Sequence, residues 1–581
     1  TNMSNSSVMY RWQMKPVPNA EKIEELKSAL KVEEHLAQML IMRGIDTFDK
    51  AKAFFNPNLE QLHDPFLMKD MDKAAGRLAL ALDRNERILI YGDYDVDGTT
   101  AVSLMCTFLS NIEYHNYAYY IPDRYGEGYG VSYRGVQFAI DEGFDLMVVL
   151  DCGIKAIDKV AYAQDNDVDV IICDHHLPDE MLPPALAVLD PKRSDCDYPF
   201  KELTGCGIGF KLLSALAQKI GIEDKEIYSL LDFVAVSTAC DIVPVIGENR
   251  ALLYQGIQQL ERNPRLGFAE LLGEKANEKS LTVTDLVFQI GPKINAAGRM
   301  EHGSEAVNLL TSNNAIEAKR LAEQITVHNQ LRRDYDQGTT AEALEMIAEN
   351  PLLMAAKSTV VFHPEWHKGV IGIVASRLIE THYKPTIVLT QSGDVAAGSA
   401  RSVKGFDVHS AIEACSDLLE QFGGHKYAAG LTISLDRIED FKSKFDEVVS
   451  ATITDEMLIP TIEIDVELTF DQINRRFYNT LKRMAPFGPR NMKPTFVSHH
   501  VRDTGKSKVV GSDQTHLKVS LEQNGVELNG IAFGMADQIH FIQSGEPISV
   551  VYTIEENIWN GTSTLQLMVK DIQPTSDKLL Q

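Results

Sequence analysis

The chain has 581 residues, 44% hydrophobic and 24% charged, which reads as soluble and globular and is too long for one hydrophobic core, so three or four domains are expected. No run of about eighteen apolar residues occurs and the stretch Thr1–Lys15 holds no apolar leader, so neither a membrane span nor a secretory signal is expected, and the expected location is cytoplasmic. The 56 Lys and Arg against 82 Asp and Glu give a net charge of −26, which argues against a nucleic-acid partner unless basic residues cluster.

Residues 1–69 are expected to form an N-terminal helical segment. From about residue 85 to 260, short β-rich apolar runs alternate with helical patterns, the signature of a parallel sheet covered by helices, inside a domain placed at 70–270. Ile88–Tyr91, Leu146–Leu150 and Val170–Cys173 are the clearest strands. Each runs straight into Asp or His, so these polar groups gather at the carboxyl ends of the strands, where open α/β sheets bind ligands. Residues 271–350 form a helical connector, in which the charged stretch Asn313–Asn350, interrupted only by Gly338, predicts one or two helices. A second α/β unit occupies 351–455. It has strands Thr359–Phe362 and Thr386–Leu389, a helix from about Val370 to Thr381, and a further helix ending at Gly423-Gly424. From Pro460 the chain turns strand-rich, with alternation in His516–Leu521 and Thr564–Val569, and a small β-barrel is expected within 456–581. Seven cysteines without a CxxC pair argue against a disulfide framework and against structural zinc.

The strongest local signal is Asp93-Tyr-Asp95-Val-Asp97-Gly98, between a buried strand and a helix expected to start near Thr99. Three carboxylates at alternate positions of a tight loop can converge on hard divalent cations. A calcium loop of the EF-hand type fails, because its twelfth position is Leu104 rather than a bidentate acid. Asp151 ends a second strand and Asp174-His175-His176 a third, while Asp241 ends an apolar helix. Singly, each of these reads as well as a cap or a solvated polar group. On one sheet edge they make a mixed oxygen and nitrogen cage suited to Mn²⁺ or Mg²⁺. His363-Pro-Glu-Trp-His367 lacks the helical HExxH spacing of zinc proteases, and no GxxxxGK[ST] loop occurs. Between Arg475 and Lys508 nine Lys and Arg stand against one acid, Asp503, and Phe477, Tyr478, Phe487 and Phe496 interleave them. Arg475, Arg476, Lys482, Arg483, Arg490 and Lys493 are therefore candidates for single-strand binding with stacking aromatics; the alternative is a solvated helix with core aromatics.

DYDVDG, the strand-end Asp151, the DHH at 174–176 and Asp241 in ACDIVP together resemble the DHH phosphoesterase superfamily. Gly298-Arg299-Met300, HKGVIGIVASRL at 367–378, GSARS at 398–402 and GGHKYAAG at 423–430 resemble its RecJ branch and the DHHA1 domain, so the resemblance covers roughly residues 70 to 570. It implies an α/β, two-lobed DHH/DHHA1 core with a parallel-sheet DHH domain, long connecting helices and a C-terminal OB-like β-barrel domain. It also implies two ions, Mn²⁺ or Mg²⁺, bridged by Asp151, with one held by Asp95 helped by Asp93 and the other by Asp97, His175 and Asp241. Many relatives have a His four residues before the second loop carboxylate. Here that position is Tyr91, so the first ion binds more loosely or relies on Asp93. Asp95, Asp97, Asp151, His175, His176 and Asp241 make the implied catalytic set. His176, Asn295, Arg299 and Arg401 are expected on scissile or neighbouring phosphates, since guanidinium forks match phosphate oxygens, and Ser399, Gly424 and His425 on the terminal-phosphate side.

The activity implied is 5′-to-3′ digestion of single-stranded DNA to mononucleotides in recombination and repair, by a monomer working beside a single-strand-binding protein and a helicase. Two rivals stand: a DHH phosphodiesterase for short oligonucleotides or cyclic dinucleotides, and a DNA-binding scaffold without chemistry. Against the scaffold, five intact acids and histidines at costly close quarters have no purpose without a cation.

Overall fold

The computed structural model describes residues 9–575. Its first sheet has five strands, all parallel, in the spatial order Tyr117–Tyr120, Ile88–Gly92, Leu146–Leu150, Asp169–Cys173, Ala187–Leu189. The central strands are apolar on both faces because both faces are covered. Ile88, Ile90, Val148 and Leu150 join one core with the helices Val96–Asn111 and Gly205–Ile220, and Leu89, Tyr91, Met147 and Val149 join another with Val136 and Val160. From Ile88–Gly92 the chain moves to one neighbour, Tyr117–Tyr120, and returns on the other side as Leu146–Leu150. The loops leaving these strands therefore part at a crevice. Asp93 and Asp151 stand on its two sides.

The second unit holds a five-stranded mixed sheet ordered Gln421–His425, Ala428–Ser434, Val395–Arg401, Thr386–Ser392, Thr359–Phe362, in which only the last pair is parallel. Here the structure corrects the sequence reading. Gly423-Gly424 does not end a helix; it lies in a strand paired with Ala428–Ser434, and the preceding helix, Val408–Glu413, has already ended. Gly424 has φ +138°, and a Cβ there would sit 2.4 Å from the Ala428 carbonyl oxygen, so the glycine serves a close strand pairing. Between the units runs one helix, Ala315–Ala348, unbroken at Gly338, whose missing Cβ faces open space.

The C-terminal strands close into a barrel. Phe496–Asp503 pairs with Ile548–Trp559 on one side and with His516–Gln523 on the other; Val526–Ala532 and Thr562–Pro574 complete the circuit. The N-terminal segment contains helices Ala20–Leu30, Glu34–Met42 and Phe48–Phe55 and also a strand, Arg11–Met14, paired in parallel with Thr461–Ile464. Its Ile23, Leu26, Leu36 and Leu40 share one core with Phe477, Leu481, Phe496 and Tyr552 of the barrel region. Apolar residues three and four apart, Ile23 with Leu26 and Leu36 with Leu40, explain why those helices bury a face, and nothing local in the sequence says which surface receives it.

Arg250, on the helix Gly247–Arg262, ties the three parts together. Its guanidinium donates to the carbonyls of Phe54, Met484, Ala485 and Pro486 at 2.8–3.1 Å and lies 3.8 Å from the Phe54 ring centroid. Burial holds its pKa down to about 9. Arg250→Met leaves these carbonyls unpaired, and a cost on the order of 2–4 kcal/mol is expected. Calorimetry is expected to show a melting transition lower by about 2–3 °C, with Arg250→Lys recovering only part of it.

Candidate metal centre and nucleic-acid interface

The helix Val96–Asn111 begins before Thr99. Asp95 is its N-cap, accepting from the Gly98 amide at 2.7 Å, so Asp97 sits in the first helical turn rather than in the loop. Asp97 is buried, and its two oxygens accept from the amides of Gly205 and Cys206, both at 2.8 Å, and from the Ser237 hydroxyl at 2.6 Å. A carboxylate has about four acceptor positions, so one remains free. Asp93 is fully buried and accepts from the Tyr94 amide, while its Oδ2 has no hydrogen-bond donor among the described residues.

Asp151 is the centre of the arrangement. It is buried, its φ is +61°, its amide donates to the Cys173 carbonyl at 2.8 Å, and among the described residues neither side-chain oxygen has an aligned hydrogen-bond donor. A Cβ on Gly205 would lie 2.7 Å from the Cβ of Asp151, so only glycine lets that helix N-terminus press so close. His175 Nε2 lies 3.0 Å from Asp151 Oδ1, 3.4 Å from Asp97 Oδ2 and 3.6 Å from Asp241 Oδ2. Asp241 caps the helix Leu231–Cys240 at its C-terminus. His176 points elsewhere. Its Nδ1 is 2.6 Å from Asp174 Oδ1 and its Nε2 is 3.2 Å from the Tyr129 hydroxyl.

The electrostatics follow from burial. Burial first, then the charge of Asp95 on Asp93, of Asp97 on Asp95, and of Asp95 and Asp97 on Asp151, hold all three carboxyls above the usual range. Burial and Asp97 raise Asp241 to about 6, against the opposing pull of His175. For Asp174 burial is outweighed by the hydrogen bond and charge of His176, and its pKa is lowered. For His176 burial pulls down, but Asp174, Asp97 and Asp95 prevail and raise it to about 9. Unpaired buried carboxylate oxygens with an imidazole among them fit a hard divalent cation, and Asp97, His175 and Asp241 can offer one ligand atom each within 4.8 Å of one another. Tyr91 cannot join them: its hydroxyl turns away to the Gly130 carbonyl at 2.7 Å.

Arg299 and Asn295 lie on the helix Gly291–Met300. Arg299 donates to the Gly369 carbonyl at 2.7 Å, and burial with the nearby Arg124, Arg401 and Arg332 lowers its pKa to about 9. Arg401 donates to Ser399 Oγ at 3.0 Å. Arg401 pairs across the sheet with Ala428, and Ala428 with His425, so Ser399 and Arg401 on one strand and Gly424 and His425 on another flank the strand Ala428–Ser434 at the same end of the sheet. Among the described residues no carboxylate pairs with Arg299 or Arg401. Asp336, buried in the long helix, instead takes Arg332 at 2.6 Å and Arg377 at 3.2 Å.

Arg475, Arg476, Lys482 and Arg483 lie on the helix Arg475–Arg483, and Arg490 and Lys493 on the loop after it. Two are already engaged, Arg475 with Glu556 and Lys493 with Glu555. Phe477 and Phe496 are 3% and 0% exposed, so they are core and cannot stack on bases. Tyr478 and Phe487 line a groove of about 870 Å³ between the barrel and Tyr254, together with Lys482 and Lys493. Sequence reasoning gave Asp174 no role of its own and missed Tyr129, Ser237 and Arg124. Asp174 stood in view inside the DHH string, and the others carry no local signal.

Three family models match the chain: the DHH family N-terminal domain over residues 87–238, the DHHA1 domain over 352–451 and the RecJ OB domain over 464–571. The single-stranded-DNA-specific exonuclease RecJ of Bacillus subtilis is 36% identical over 571 residues, covering 97% of this chain and 70% of that protein. Crystal structures of Thermus thermophilus RecJ with Mn²⁺ and with Mg²⁺ superpose with TM-scores of 0.82 and 0.78 at 26% identity, covering 98% of this chain and 80% and 79% of theirs. No helix among the described residues is long and apolar enough to cross a membrane.

A carboxyl raised in the folded state adds stability as pH falls through its folded pKa and loses it as pH rises. The metal-free protein is therefore expected to melt higher at pH 5.5 than at pH 8, with Asp241, at about 6, contributing within that window. Metal-free Asp151→Asn is expected to be more stable than wild type at pH 8 by about 1–2 kcal/mol, having lost a buried like charge. In a thermal-shift assay, Mn²⁺ at about 100 times its Kd is expected to add about 2.7 kcal/mol to the wild type and far less to Asp151→Asn.

Proposed function

Because this chain belongs to the RecJ family, we propose that it hydrolyses single-stranded DNA from the 5′ end, releasing 5′-mononucleotides, in DNA recombination and repair. The observation that carries this reading is Asp151, a buried carboxylate at the switch point of a parallel sheet whose oxygens have no aligned hydrogen-bond donor among the described residues and only His175 close by. We assign it the position between two cations, with Asp95 and Asp93 holding one and Asp97, His175 and Asp241 the other. Mn²⁺ or Mg²⁺ so held supplies Lewis acidity and charge neutralisation for in-line phosphodiester hydrolysis.

The remaining roles belong to the chain's own groups. His176, fixed by Asp174 and the Tyr129 hydroxyl, stands beside Asp151 and His175 and is assigned to the scissile phosphate. Arg299 and Arg401, half-buried and without anionic partners among the described residues, are assigned with Asn295, Ser399, Gly424 and His425 to the phosphates at the strand's 5′ end, and anchoring that end sets the polarity. Arg476, Lys482, Arg483 and Arg490 are assigned to the trailing strand. Arg475 and Lys493 contribute less, because each must first leave a glutamate. The proposed division is an N-terminal segment at 1–69, the DHH domain at 70–270, the connector at 271–350, DHHA1 at 351–455 and the OB-like domain at 456–581. A single-strand-binding protein and a helicase are the proposed partners of a monomer, on the family's role in repair.

The test is a single strand labelled at either end and digested with Mn²⁺ present. Expected are mononucleotides from the 5′ end, little cleavage of the matched duplex, and a loss on the order of 10²-fold in His176→Ala. Cleavage confined to di- and trinucleotides would support the small-substrate rival instead, and tight binding without cleavage the scaffold.

A further inference from the structure

Tyr91 stands two residues before Asp93, and its hydroxyl is turned away from the carboxylates. It donates to the Gly130 carbonyl at 2.7 Å and accepts from the Ser132 amide at 3.1 Å, with its ring buried and stacked on Tyr120. Those contacts grip the loop one and three residues after Tyr129. The Tyr129 hydroxyl donates to the Asp151 carbonyl at 3.0 Å and meets His176 Nε2 at 3.2 Å.

Proton counting fixes the roles. The one hydroxyl proton of Tyr129 goes to a carbonyl that can only accept, so its oxygen is left to accept from His176 Nε2. His176 Nδ1 faces a carboxylate oxygen at 2.6 Å, so that nitrogen donates too. The ring is thereby held at both nitrogens, by Asp174 on one side and Tyr129 on the other. The same Tyr129 hydroxyl holds the carbonyl of Asp151, whose φ of +61° is costly for a residue other than glycine.

We propose that Tyr129 is a positioning residue for the hydrolysis, fixing His176 and the Asp151 backbone together, and that Tyr91 acts through the loop to hold Tyr129 there. This rests on the proposed roles of Asp151 and His176. It assigns the buried Tyr91 a purpose in place of metal ligation: the strand that carries no histidine clamps the loop that orients one.

Three variants and two readouts test it. Tyr129→Phe keeps the ring and removes the hydroxyl; kcat on a single-stranded oligonucleotide is expected to fall about tenfold with KM changed less than about twofold, as loss of one well-placed hydrogen bond implies. Tyr91→Phe is expected to lower kcat less and to speed amide hydrogen exchange within residues 124–132 while leaving the sheet unchanged. Because both act along one path, the double variant is expected to match Tyr129→Phe rather than multiply the two losses. Full kcat in Tyr129→Phe, an effect confined to KM, multiplicative losses, or unchanged exchange in Tyr91→Phe each overturn the proposal. A wild type that cleaves no single strand overturns the underlying functional reading instead, and the exchange measurement still decides the link between Tyr91 and Tyr129.

Discussion

Burying several carboxylates within reach of one another is the constraint on which this molecule is built. A single ionised carboxylate removed from water is costly unless paired, and here Asp93, Asp95, Asp97, Asp151 and Asp241 converge with one imidazole in reach of three of them. Part of the cost is met by the fold: the N-terminus of the helix Gly205–Ile220 and Ser237 satisfy Asp97, and the first turn of the helix Val96–Asn111 satisfies Asp95. Asp151 receives no such help, and a cation is the partner its geometry leaves room for. The parallel sheet makes this possible, because reversing direction after Ile88–Gly92 parts two loops at one crevice.

The rest of the chain can be understood as supplying charge of the opposite sign at a controlled distance. Arg299 comes from the helix Gly291–Met300 and Arg401 from the second sheet, and the long helix Ala315–Ala348 packs on the first and on the helix Ile371–Thr381 that covers the second. Its Asp336 neutralises Arg332 and Arg377, so the arginines nearest the cleft keep their charge for a ligand. A protein with a net charge of −26 thus concentrates uncompensated cations where a phosphate chain would lie, and Arg250 fastens the barrel that carries the remaining basic residues to the catalytic unit.

Much of this was legible in the residues. The three clearest strands, the crevice at their carboxyl ends and the carboxylates themselves follow from apolar runs that stop at Asp or His, because a strand buried on both faces leaves an unmistakable pattern. The pairing of Gly423-Gly424 was not legible: two glycines signal a helix stop and a close strand approach equally, and only the partner at Ala429-Gly430 decides. Phe477 and Phe496 beside lysines and arginines looked like a stacking surface, yet the first, on a helix, and the second, on a barrel strand, both turn into the core shared with the N-terminal helices. Tyr129 and Ser237 gave no signal because their roles depend on loops brought together from 22 and 140 residues away.

The most direct test of the central claim is anomalous diffraction at the manganese edge from crystals of this protein equilibrated with Mn²⁺. Two peaks about 3.5–4 Å apart are predicted, with Asp151 between them, Asp93 and Asp95 at one, and Asp97, His175 and Asp241 at the other. A site without anomalous density around Asp151, or manganese bound only elsewhere, would contradict the account.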